Sequence, residues 1–265
     1  MRTARGVLSP IAATGALLGT LFASGCSSMD VGSDVLWTAR FEGGTLNEWA
    51  TTPGASTLGV QAALPNTVDV SMLHAHGGQY SGRLFIDTAS TGVQQTAGLN
   101  RKVGLPTEAY YSAWYYLPQT ESVGGFWVIF KFRRRAVVDD PSTEGELFDV
   151  DLINDAAGEM TLQLYDHRTE GAVPLQVSGL VVPVGVWFQI EAYYRNAADS
   201  TGALTVWLNG VSIVDLHGET TSPTPWVEWD VTSVGENLTP SATTLFVDDC
   251  AVSRRRVGPT GIIAE

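Results

Sequence analysis

The sequence predicts an all-β protein, an antiparallel β-sandwich or jelly roll, on three observations. From Val35 to about Ser253, apolar and polar residues alternate at period two. Gly, Pro, Asn and Asp break that alternation roughly every ten residues, as turns between short strands do. No long segment carries apolar residues at the helical period, and no composition break or internal repeat divides the stretch, so one domain over residues 35–256 with a short tail (257–265) is expected.

The alternation assigns faces, because successive side chains leave opposite sides of a strand. In FWVIFKF, Phe126, Val128, Phe130 and Phe132 form an apolar row, and Trp127, Ile129, Lys131 and Arg133 lie opposite. In ELFDVDLIND, Phe148, Val150 and Leu152 go inward, and Asp149 and Asp151 go outward. In MTLQLYDH the core takes Met160, Leu162 and Leu164, leaving Thr161, Gln163, Tyr165 and His167 on the far side. In VWFQIEAYYR the core takes Phe188, Ile190 and Ala192, leaving Gln189, Glu191, Tyr193 and Arg195. In ALTVWLNG, Leu204, Val206 and Leu208 are core, Thr205 and Trp207 face away, and Asn209-Gly210 makes a hairpin turn. The stretch TLFVDDCAVS ends the domain. Both of its faces are apolar apart from Asp248 and Asp249, so at least one carboxylate is buried and needs a hydrogen-bonding partner or a cation.

The chain has 265 residues, 44% of them hydrophobic, enough for a sizeable core. Its first 25 residues read as a secretory leader: Arg2 and Arg5 precede an apolar run too short to be a dependable membrane span. The sequence ASGC that follows resembles the lipobox of bacterial lipoproteins, although Ala23 stands where leucine is more usual. That resemblance implies lipidation of Cys26, a tether over residues 26–34, and attachment to the cell envelope, at the outer membrane or cell surface. Without the leader, 13 basic residues face 28 acidic ones, a charge of −15, which argues against a nucleic-acid partner. With Cys26 lipidated, Cys250 has no partner for a disulfide.

Five strands thus present one apolar face and one face mixing aromatics with amides and acids. Sugars stack their C–H faces on aromatic rings while amides and acids take their hydroxyls. The expected glycan-binding residues are Asp149, Asp151, Gln163, Tyr165, Gln189, Glu191, Tyr193 and Trp207. A plain solvated face is the alternative for any one strand.

The opening FE…G…L…W (Phe41, Glu42), the step HGGQYS (residues 76–81) and the closing FVDD (residues 246–249) resemble carbohydrate-binding jelly rolls and the related concanavalin A-like lectins, glucanases and polysaccharide lyases. The resemblance implies a structural Ca²⁺ where first and last strands meet, held by Glu42, Asp248 or Asp249, and carbonyls around Gly77 and Gly78. The alternative is that the aspartates accept hydrogen bonds from Arg40 or backbone amides.

Neither catalytic pattern of those enzymes is intact. The glucanase array Glu-x-Asp-x-Glu has Asp149, Asp151 and then Ile153, so its third carboxylate is missing; the alginate-lyase Gln-x-His is also absent. Three functions stay open: a non-catalytic glycan-binding lipoprotein, a polysaccharide lyase, and a structural or adhesive lipoprotein. For a lyase, Lys131 and Arg133 would neutralise a uronate carboxylate, and Tyr165 and His167 would serve as base and acid. A glycoside hydrolase using Asp149 and Asp151, about 7 Å apart by strand geometry, is a weaker enzyme reading.

Overall fold

A computed structural model describes residues 34–50, 58–102, 105–135, 143–168 and 173–261. The leader, Cys26 and most of the tether lie outside the described residues. Strands β1 to β5 are Val35–Ala39, Val60–Ala62, Thr67–Ser71, Ser81–Asp87 and Gln95–Arg101. Strands β6 to β10 are Glu108–Tyr116, Ser122–Arg135, Glu144–Asn154, Met160–Asp166 and Val173–Val181. Strands β11 to β15 are Phe188–Arg195, Gly202–Leu208, Val211–Glu219, Trp226–Thr239 and Ala242–Ser253.

They form two antiparallel sheets. The first runs β13-β12-β11-β6-β15-β4-β3, with β1 also on β15; the second runs β10-β9-β8-β7-β14-β5-β2. Their inner faces share one core centred on aromatic rings: Trp229 lies 5.5 Å from Tyr111 and 5.7 Å from Phe130, and Phe132 stacks on Tyr194 at 4.2 Å. The all-β sandwich expected from the alternation is the fold observed. On β9, β11 and β12, and on β8 from Phe148 onward, the inward residues are those the alternation assigns, and Asn209 and Gly210, both at positive φ, turn β12 into β13.

The alternation fails where strands carry an extra residue. Between Val128 and Phe130, β7 spends two residues against one of β8, so Ile129 and Phe130 both face the core. Upstream of that bulge the faces are the reverse of the expected ones: Trp127 and Ile129 are fully buried, and Phe126 and Val128 line an outer groove. The compensating bulge is on β8. There Phe148 pairs with Phe132 and Glu146 with Arg133, so Leu147 and Phe148 both point inward and Glu146 joins Asp149 and Asp151 outside.

A third bulge explains the adjacent aspartates of β15. The register shifts between Asp248 and Ala251, and Asp249 is the extra residue, at φ 42°. Leu245, Val247, Cys250 and Val252 consequently all reach the core, which strict alternation forbids.

The β7 bulge gives a test with opposite outcomes for the two phases. Trp127, whose indole N–H donates to Ser233 Oγ at 2.9 Å in the core, should cost about 3–5 kcal/mol when changed to Ala. Phe126→Ala should cost about 1 kcal/mol or less. Urea denaturation of both variants decides it, and the reverse ranking would restore unbroken alternation.

Candidate functional site

The groove on the outer face of the second sheet encloses about 620 Å³, within the usual range for small-molecule sites. Its floor is two cross-strand rows. Lys131, Asp149 and Tyr165 are neighbours on β7, β8 and β9; Val128, Asp151 and Gln163 form the next row. His167, just past β9, is held by its backbone N–H on the Leu147 carbonyl at 2.9 Å and also lines the groove.

The groove is charged and largely dry. Asp149 and Asp151 are each only 5% exposed and Lys131 is 7% exposed. Lys131 Nζ reaches Glu146 Oε1 at 3.3 Å, and the His167 Nε2–Asp149 Oδ2 distance is 2.9 Å. The hydrogen bond to Asp149 raises the pKa of His167 above 6.5. Burial, reinforced by the neighbouring Asp149 charge, pushes Asp151 up to about 7, and burial likewise raises Glu146. One oxygen each of Glu146, Asp149 and Asp151 is buried without a hydrogen-bond partner among the described residues. Buried acceptors of this kind are costly unless something else supplies a donor.

Glu146 is the residue that sequence reasoning missed. It supplies a third carboxylate to the Asp149–Asp151 pair from the other direction along the strand, and only the β8 bulge puts it there.

Arg133 does not join the groove. Its Nε, Nη1 and Nη2 lie 2.7 Å from Asp230, Glu144 and Glu228, so its charge is engaged internally and it is not free for a substrate carboxylate. Residues 133–135 all belong to β7, and Arg135 joins the same ion-pair network, pairing with Glu144 and Glu228.

The expected glycan-binding set divides between opposite sides of the sandwich. Asp149, Asp151, Gln163 and Tyr165 line the groove, whereas Gln189, Glu191, Tyr193 and Trp207 lie on the outer face of the first sheet. Two of these are sealed beneath the chain that follows β15. Glu191 accepts hydrogen bonds from the backbone N–H groups of Val257 and Gly258 and pairs with Arg256 at 3.1 Å. Gln189 donates to the Gly258 carbonyl at 2.9 Å and to Ser112 at 2.8 Å, and both residues are fully buried. Tyr193 donates to Glu108, and the Arg256 guanidinium lies 4.3 Å over the Trp207 ring. The buried Val257 also carries the packed domain past residue 256.

At the chain ends, Glu42, Asp248 and Asp249 converge on the turn before β4. Glu42 accepts from the N–H groups of Gln79 and Tyr80 at 3.0 Å, and Asp248 accepts from those of His76 (2.9 Å) and Gly77 (3.1 Å). Asp249 lies 2.7 Å from His76 Nδ1 and 3.6 Å from Arg40. Burial and the adjacent Asp249 charge push Asp248 up to about 7. Among the described residues, no group of three or more His, Cys, Asp or Glu side chains is arranged to hold a metal ion. His74 and His76 instead stack on Tyr116 and Trp114, at 4.2 and 3.8 Å.

No family model and no curated protein sequence matches the chain. Solved structures do. An endo-β-1,4-glucuronan lyase from the fungus Trichoderma reesei aligns over 84% of this chain and 97% of its own, at TM-score 0.64 and 12% identity. An alginate lyase from Aplysia kurodai aligns over 83% and 99%, at TM-score 0.55 and 10% identity. The Emp47p carbohydrate recognition domain aligns over 84% and 98%, at 0.54 and 10%. At such identities the likeness establishes the fold: a jelly roll of the lectin and polysaccharide-lyase kind.

The Asp149–His167 pair has a pH signature. A histidine with a raised folded pKa stabilises the fold below about pH 6.5 and loses that contribution as pH rises through the raised value. Asp149→Asn should bring the His167 titration down towards 6.5, as read by NMR of the ring protons. An unchanged titration would mean that the pair does not form.

Proposed function

We propose that this chain binds a glycan in the groove of the second sheet. The observation that carries the reading is the set of buried, partnerless oxygens on Glu146, Asp149 and Asp151. They lie beside the amide of Gln163 and the ring of Tyr165, so sugar hydroxyls would supply the missing donors and the ring a stacking surface. The likeness to a glucuronan lyase, an alginate lyase and a carbohydrate recognition domain supports the same class of ligand. Titration calorimetry against oligosaccharides tests it. Tyr165→Ala and Asp151→Asn should each weaken binding about tenfold, whereas Trp207→Ala, on the opposite side, should leave it unchanged. Loss only with Trp207→Ala would move the site to the first sheet.

A lyase reading is favoured by one specific feature. Tyr165 and His167 stand with ring centroids 5.2 Å apart in a groove that also holds Lys131. β-Elimination needs a group to neutralise the uronate carboxylate, one to remove the C5 proton and one to protonate the leaving oxygen. Lys131, Tyr165 and His167 are the available groups, without Arg133. Unsaturated product, detected by its ultraviolet absorbance on glucuronan or alginate and abolished by Tyr165→Phe, is the expected result. Binding without product leaves a non-catalytic receptor.

A structural Ca²⁺ between the chain ends is a separate proposal. It is supported by the convergence of Glu42, Asp248 and Asp249 and by the bare backbone at Gly78, where a Cβ would fall 2.2–2.4 Å from the Glu42 carboxyl group. A carboxylate oxygen that accepts one N–H keeps further acceptor capacity, and carbonyls around Gly77 and Gly78 would complete the ligand set. An ion at a hundredfold excess over its Kd adds about 2.7 kcal/mol, so calorimetry should show a higher melting temperature in millimolar calcium than in EGTA. Equal melting temperatures remove the ion and leave the amide hydrogen bonds as the whole clasp.

A further inference from the structure

A second hollow, of about 490 Å³, opens beside the groove and is lined by Arg134, Leu147, His167, Arg168, Glu219 and Thr220 among others. His167 lines both hollows, so the two adjoin at this residue. Their cations differ in what holds them. Lys131 reaches Glu146, and Arg133 and Arg135 are tied to Glu144 and Glu228. Arg168 holds both oxygens of Asp166 and the Thr220 carbonyl, with Glu219 at 3.4 Å.

Arg134 stands apart. It is half-buried and has no hydrogen bond or ion pair to any described residue. Its guanidinium lies against the β8 backbone at Gly145, its cross-strand partner, where an added Cβ would come within 3.0–3.1 Å of Nε, Cζ and Nη2. The missing side chain at 145 is what gives the guanidinium its place. A partly buried cation without a counter-charge is costly, and a guanidinium suits the bidentate geometry of a carboxylate.

We propose that Arg134 is an anion subsite: a glycan seated in the groove continues past His167 and places a uronate carboxylate on the Arg134 guanidinium. The inference rests on the groove reading and adds the charge class of the ligand to it. In the groove Lys131 and His167 face three carboxyl groups, Glu146, Asp149 and Asp151, and burial pushes Glu146 and Asp151 towards their neutral forms, which lowers the repulsion an acidic chain would meet there.

The test compares β-1,4-linked hexaglucuronate with cellohexaose, chains that differ only in the C6 carboxylate, by titration calorimetry on the whole protein. Wild type should prefer hexaglucuronate at least tenfold, a preference that shrinks with added salt. Arg134→Gln should cut it to about twofold while cellohexaose affinity stays unchanged, which also reports an intact fold. Gly145→Ala should cut it too, with the charge retained and the guanidinium displaced. Equal binding of the two sugars by wild type overturns this inference and leaves the groove reading standing, as does a preference that survives both substitutions. Binding of neither overturns both.

Discussion

A strand in a sandwich offers every second residue to the core, and three one-residue insertions decide what this protein does with the others. On β7 the rings of Trp127, Phe130 and Phe132 are all buried, which no unbroken alternation permits. The core fixes the phase on each side of the bulge: Trp127 through its hydrogen bond to Ser233, Phe132 through its stack on Tyr194. The groove face follows from that. Because Phe130 must be inside, Lys131 is outside; because Leu147 and Phe148 must both be inside, Glu146 is outside with Asp149 and Asp151. The site is positioned by the packing behind it.

Burying so much charge in a sheet is tolerable only when each charge is answered, and the second sheet answers it in two ways. Around Arg133 the answer is internal: three carboxylates meet its three nitrogens, and the cluster braces β7 against β8 and β14. Around Asp151 the answer is left open. It has Gln163 as its cross-strand neighbour and no donor on Oδ1, and its carboxyl group stays near its protonation midpoint at neutral pH. An ion-paired cluster holds a fold together; a buried acid without a cation beside it is where a ligand would gain by binding.

Much of this was legible in the residues. The faces of β9, β11 and β12, that of β8 from Phe148 onward, the Asn209-Gly210 turn and the buried acid of β15 follow from the residue pattern alone. The bulges do not, because an extra residue is defined by the register of a partner strand far away in sequence, and the pattern within FWVIFKF reads equally well in either phase. Nor does the sequence show which polar face is covered. Gln189 and Glu191 carry the same chemistry as Gln163 and Asp151, and only the return of residues 256–258 over the first sheet separates their fates.

That contrast is the strongest argument for placing the ligand on the second sheet. Burial raises the pKa of Glu191, as it does that of Asp151, yet two backbone N–H groups and a guanidinium converge on Glu191 and oppose the shift. A carboxylate so supplied has no capacity to reward a sugar hydroxyl, and its role is to clasp the chain segment that covers it. Asp151 has lost its water without gaining equivalent donors. Of the two buried acids, one has had its desolvation offset by the chain itself, and the other has not, which is the gap the proposed glycan would fill.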